Sequence, residues 1–128
     1  MNYSIGEFSQ LTGLSIYTLR YYEQENLIAP NRKKNGHRYY TDADLRWIEF
    51  VQRLKDTCMP IKDIQEYAKL RALGDSTMEA RMNMLIKHKS ALQSQINNLN
   101  DHMEKLNDKV QYYEHEINNQ KSTLNVSN

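Results

Sequence analysis

The chain has 128 residues, 39% of them apolar, a formal net charge of +1 and one cysteine, Cys58. That length allows one domain's worth of core, and a lone cysteine excludes an internal disulfide or a cysteine metal cluster. Bulk charge gives no signal for nucleic acid. No apolar run reaches signal or membrane length, so the expected location is cytoplasmic, with no membrane partner.

Ser4 and Glu7 have the spacing of a capping box, which predicts a helix from about Ile5. Phe8 and Leu11 share its face with Ile5, and Gly13 ends it. Ser15 caps a second helix reaching about Glu25, with Ile16, Leu19 and Tyr22 toward the core and Tyr21 a further candidate. Two short amphipathic helices around a glycine turn form a helix-turn-helix pattern. Pro30 turns the chain into an extended path. Asn35-Gly36 is a hairpin turn signal, and the residues after it, 37–40, suit a strand. Together these predict a small two-stranded wing. From Pro30 to Tyr40 the wing holds Arg32, Lys33, Lys34 and Arg38 and no acidic residue.

Thr41 caps a third helix, with Asp42 and Asp44 in its first turn. Leu45, Ile48, Val51 and Leu54 make its apolar stripe, flanked by Trp47 and Phe50. Pro60 starts a fourth helix through Ile61, Ile64, Tyr67, Ala68 and Leu70, which Gly74 terminates. Ser76 and Glu79 form another capping box, and no Pro or Gly follows. From there Met78, Leu85, Leu92, Leu99, Leu106 and Tyr113 recur every seventh residue. Met82, Ile96, Met103, Val110 and Ile117 interleave with them, an a/d coiled-coil seam broken only by Lys89. A helix from Thr77 to Gln120 would be about 66 Å long, and the chain has no second helix of that length to cover it. The partner is therefore expected to be another copy. Lys89 at a and Tyr113 at d suit a parallel zipper poorly and favour an antiparallel pair. The expected organisation is mainly α. Residues 1–73 are expected to be a winged helix-turn-helix domain, 74–121 a long antiparallel coiled-coil dimerisation helix and 122–128 a flexible tail.

A helix-turn-helix places its second helix in the major groove. Tyr17, Thr18 and Arg20 then become candidates for base edges or phosphates, with Arg20 suited to a bidentate contact. Arg32, Lys33, Lys34 and Arg38 would neutralise phosphates, and the Tyr39 and Tyr40 hydroxyls could reach them too. As alternatives, the paired tyrosines read as core aromatics, the preferred reading for Tyr22 and Tyr39. No paired carboxylates, nucleophile with a base, metal set or phosphate loop points to an enzyme, and no cofactor is expected.

Ile5-Gly6-Glu7-Phe8, Thr12-Gly13-Leu14-Ser15, Leu19-Arg20-Tyr21-Tyr22-Glu23, Leu27-Ile28 with Pro30, and Asn35-Gly36-His37-Arg38-Tyr39-Tyr40 stand in an order and spacing that resembles the MerR family over residues 1–73. The resemblance implies a winged-helix fold, an antiparallel coiled-coil homodimer and double-stranded promoter DNA as partner. It also implies regulation by bending and untwisting an overlong promoter spacer, so that RNA polymerase engages both promoter elements. The family's DNA contacts carry over to Tyr17, Arg20, Tyr21, Arg32, Gly36, His37, Arg38 and Tyr40, with Lys33 as a neighbour. Metal-sensing members use cysteines near the end of the dimerisation helix, where this chain has none. His88, His102 and His115 fall at g, g and f, a solvated face.

With its Trp47-Ile48-Glu49-Phe50 run and Gly74-Asp75 turn, the sequence resembles the short aldehyde- and electrophile-responsive branch, which implies a stress response. That branch carries its reactive cysteine where this chain has Arg53. Cys58 stands five residues later. It is a candidate redox sensor, and the simpler reading is a packed or capping-region thiol. The competing functional readings are a coiled-coil interaction protein with a degenerate helix-turn-helix and a regulator of a non-electrophilic small molecule.

Overall fold

The computed structural model describes the backbone of residues 1–126 and the side chains of residues 1–123. In chain order come β1 (Asn2–Tyr3), α1 (Ile5–Thr12), α2 (Ile16–Gln24), β2 (Asn31–Arg32), β3 (Arg38–Thr41), α3 (Asp42–Asp56), α4 (Ile61–Ala72) and α5 (Met78–Val126). Two compact units result, Met1–Ile86 and Lys87–Asn128. The first ends beyond Leu73 because Met84 and Leu85, in the opening turns of α5, pack against its core.

Three expected caps hold the helix starts. Ser4 and Glu7 bond each other's backbone in a full capping box, Thr41 and Asp44 do the same, and Ser15 accepts from the Thr18 amide. Each satisfies backbone donors that a helix start leaves orphaned. The cap expected at Ser76 differs. A single 3-10 turn, Asp75–Thr77, precedes α5, and the one proton of the Thr77 hydroxyl is shared between the Leu70 and Gly74 carbonyls, at 2.6 and 2.7 Å. At its other end α5 continues through Val126, past Lys121. The remaining tail residues, Ser127 and Asn128, lie outside the described residues.

Two helices stop on a left-handed residue that is not glycine. After α2, Asn26 has φ 59°, with its amide bonded to the Glu23 carbonyl and the Leu27 amide to the Tyr22 carbonyl. After α3, Cys58 has φ 64°, with its amide on Lys55 and the Met59 amide on Leu54. Both are Schellman motifs, and the residues that such a motif brings together are buried in each, Tyr22 and Leu27 in the first, Leu54 and Met59 in the second. The Cys58 thiol is exposed. The capping-region part of the sequence reading describes its position, whereas the thiol itself is not packed.

The core gathers Phe8, Leu19, Tyr22, Leu27, Tyr40, Trp47, Ile48, Val51, Leu54, Met59, Ile64 and Tyr67. The stripe of α3 faces inward as its spacing requires. Trp47 also donates its indole N–H to the Leu27 carbonyl at 2.7 Å, tying α3 to the segment leaving α2. Ile16 and Tyr21, expected near the core, are exposed.

The wing has three strands in the order β1-β3-β2, all neighbours antiparallel, where the sequence suggests two. The extra strand is Asn2–Tyr3, too short to show alternation. Tyr3 donates to Asp42 at 2.6 Å, which pushes the phenol's pKa up and holds the Asp42 carboxylate below its usual range. The adjacent tyrosines of β3 also reverse the expected assignment. Tyr40 is 1% exposed and stacks on Phe8 at 4.5 Å between ring centroids, whereas Tyr39 is only half-buried. Neighbours on a strand face opposite sides, and sequence alone does not say which parity meets the core.

Candidate nucleic-acid interface

α2 separates two faces. Leu19 and Tyr22 are buried, while Tyr17 is 81% exposed and Arg20 and Tyr21 also face solvent. A shallow groove of about 520 Å³ lies beside that outer face, lined by Tyr17, Arg20, Tyr21, Glu23, Gln24 and Arg38. Four of the residues expected to meet DNA therefore share one surface. Thr18 is not among its lining. It is half-buried and its hydroxyl accepts from Ser15 at 2.9 Å, so it belongs to the helix cap.

The wing turn is built by its glycine. The Gly36 amide bonds the Lys33 carbonyl and the Lys33 amide bonds the His37 carbonyl, both at 2.9 Å, with Gly36 at φ 85°. This is a three-residue hairpin loop whose left-handed position glycine fills without strain. Arg32 donates to the Gly36 carbonyl at 2.9 Å and steadies the tip. Arg32, Lys33, Lys34 and His37 are all exposed there. Exposed cations on a tight, steadied turn suit contact with a phosphate backbone.

Tyr40 departs from its expected role. Its hydroxyl donates to the Glu23 carboxylate, and burial, followed by that bond, pushes the phenol well above its ordinary pKa. The other Glu23 oxygen stands 3.3 Å from Nε of Arg38. This ion pair lacks hydrogen-bond geometry, since Nε is buried with no hydrogen-bond acceptor. Arg38 is thus partly held by the protein, with its side chain 35% exposed. Glu23 is the residue that sequence reasoning missed. It clamps the recognition helix to the wing strand through Arg38 and Tyr40. Its run of neighbours was legible, but its partners on β3 required the fold.

Further ties fix the platform. Asn31 donates to the Asp44 carboxylate at 2.9 Å, linking wing to α3, and Gln65 donates to the Glu25 carbonyl at 2.9 Å, linking α4 to the end of α2. Lys55 reaches the Tyr22 hydroxyl at 3.2 Å. Among the described residues, no three His, Cys, Asp or Glu side chains gather as a metal site, and no helix is long and apolar enough to cross a membrane.

Known proteins share this arrangement. The model of the MerR HTH family regulatory proteins matches residues 3–70. An uncharacterised HTH-type transcriptional regulator of Haemophilus influenzae is 35% identical over 116 residues, 89% of this chain and 85% of its own. The crystal structure of HiNmlR, described as a MerR family regulator lacking the sensor domain and bound to promoter DNA, is 34% identical. It has a TM-score of 0.76 and covers 89% of this chain and 91% of its own. A crystal structure of a MerR family regulator from Listeria monocytogenes is 31% identical with a TM-score of 0.87, covering 97% and 96%. An outward-facing α2 beside a basic wing, with these similarities over nearly the whole length, makes the chain a member of the MerR family of DNA-binding helix-turn-helix transcriptional regulators.

Proposed function

We propose that the protein acts as a homodimer that grips a promoter spacer with two copies of the α2–wing surface and regulates transcription by bending and untwisting that DNA. Residues 1–73 do the gripping and residues 74–121 the pairing. The observation that carries this reading is the solvent-facing set of Tyr17, Arg20 and Tyr21 beside the exposed wing cations. A similar regulator is bound to promoter DNA, which supports the same partner here. Base-edge contacts would come from α2, and the wing would set position on the backbone. RNA polymerase then meets the altered spacer rather than this surface.

The exposed Cys58 thiol is a candidate input. Addition of its S–H across an aldehyde carbonyl forms a thiohemiacetal without any further reactant. In a reporter strain, Cys58→Ser should abolish induction by aldehydes, and unchanged induction would remove Cys58 from the account.

The DNA-binding reading is tested by gel shift on the DNA upstream of the protein's own gene. Arg20→Ala should weaken binding at least tenfold, the scale of one lost bidentate contact. Arg38→Ala should weaken it too, with added loss of the Glu23 clamp. Undiminished binding by both variants would contradict the assignment.

A further inference from the structure

Against the opening turns of α5 lies a notch of about 300 Å³, lined by Arg46, Arg71 and Arg81, the aromatics Trp47, Phe50 and Tyr67, and Ala43. No carboxylate is among its lining residues. The Arg71 guanidinium lies over the Trp47 ring at 4.5 Å. Arg81 donates to Thr77 and to the Gly74 carbonyl, which leaves part of its five-donor fork unused. Three cations on an aromatic floor suit an incoming carboxylate.

We propose that this notch receives Glu116 from α5 of a second copy, and that this contact sets the register of an antiparallel pair. The inference rests on the homodimer proposed above. Its first support is Lys89, the single charge on the a/d seam. A parallel, in-register pair would place Lys89 against its own copy in one layer, two like charges losing water together. An antiparallel pair places it beside an apolar side chain, with its amine free to reach solvent.

The second support is the seam's length. Setting Ile96 opposite Leu99 of the second copy puts Lys89 opposite Leu106 and Met82 opposite Tyr113. Every a and d position from Met78 to Ile117 then finds a partner. A shift by one heptad one way leaves Tyr113 and Ile117 beyond the start of the second copy's α5, and a shift the other way sets Met82 opposite the polar Gln120. In this register g positions face g positions, and Arg81 meets Glu116 of the second copy. Glu114 of the second copy comes near Glu79, and both are exposed, so water and salt screen this like-charge contact. Apart from half-buried Leu85 and Leu92, the seam residues meanwhile lie open in the single chain, Leu99 being 67% exposed.

Two measurements on the full chain test this. By sedimentation equilibrium, Glu116→Arg should weaken the dimer about tenfold, the scale of one lost charge-assisted pair. Adding Arg81→Glu should restore most of that affinity. Glu116 lies outside the notch's own unit, so its replacement leaves the Arg81 bonds to Thr77 and Gly74 in place. In a Cys58→Ser background, nitroxide labels at Ser94→Cys and Asp108→Cys report the register by electron spin dipolar spectroscopy. The axial separation between copies should be about 10 Å at position 94 and about 32 Å at position 108. Equal separations at the two positions, or a Glu116→Arg dimer of undiminished strength, would overturn the proposal. A monomeric unmodified chain would instead overturn the homodimer reading beneath it.

Discussion

Glu23 constrains two wing residues at once, and its carboxylate decides what each can offer DNA. Tyr40 spends its hydroxyl on Glu23 inside the core, so Tyr40→Phe should cost about 1–2 kcal/mol of stability with little direct loss of DNA contact. Urea unfolding and operator affinity would separate those effects. The Tyr40 phenol is raised above its unfolded value, so its contribution is complete below pH about 10 and fades only as pH climbs toward the higher folded value. Unfolding free energy of wild type minus Tyr40→Phe should therefore be flat from pH 6 to 9. Cys58 makes a second residue-scale prediction. Its left-handed backbone costs a side chain about 1 kcal/mol relative to glycine, so Cys58→Gly should stabilise the fold by about that amount in the same assay. A destabilised Cys58→Gly protein would mean that the side chain makes contacts outweighing its backbone strain.

At the scale of elements, the recognition helix and wing were largely legible before any fold was known. Ser4, Ser15 and Thr41 mark helix starts through local chemistry, and Gly36 marks the hairpin tip, because caps and turns depend on nearby residues. Strand parity does not, and the reversal of Tyr39 and Tyr40 follows from that. The short strand β1 and the Glu23 clamp escaped for a related reason, since both depend on partners distant in sequence. The hairpin tip is open to a direct test. A Cβ on Gly36 would meet nothing within 4 Å, so any penalty comes from its φ of 85°. Gly36→Ala should cost about 1 kcal/mol and weaken operator binding by loosening Arg32 and Lys33. Thermal melts and a salt series on the variant would show both losses.

Across the whole molecule, the long seam on α5 is the feature with most left to bury. The heptads that revealed it also named its residues, but Leu85 packs against the first unit's core. That contact was invisible in a seven-residue repeat. If dimerisation buries the seam, melting temperature should rise with protein concentration, since association stabilises the folded chain by mass action. Leu99→Glu should remove that dependence and leave a monomer. If two copies of the α2–wing surface act together on duplex DNA, sedimentation of the protein with its upstream promoter fragment across a salt series will show it. Two protomers per duplex are expected, with affinity falling steeply as salt rises and each phosphate contact contributing about 0.9 to the logarithmic slope. One protomer per duplex, or an affinity indifferent to salt, would contradict it.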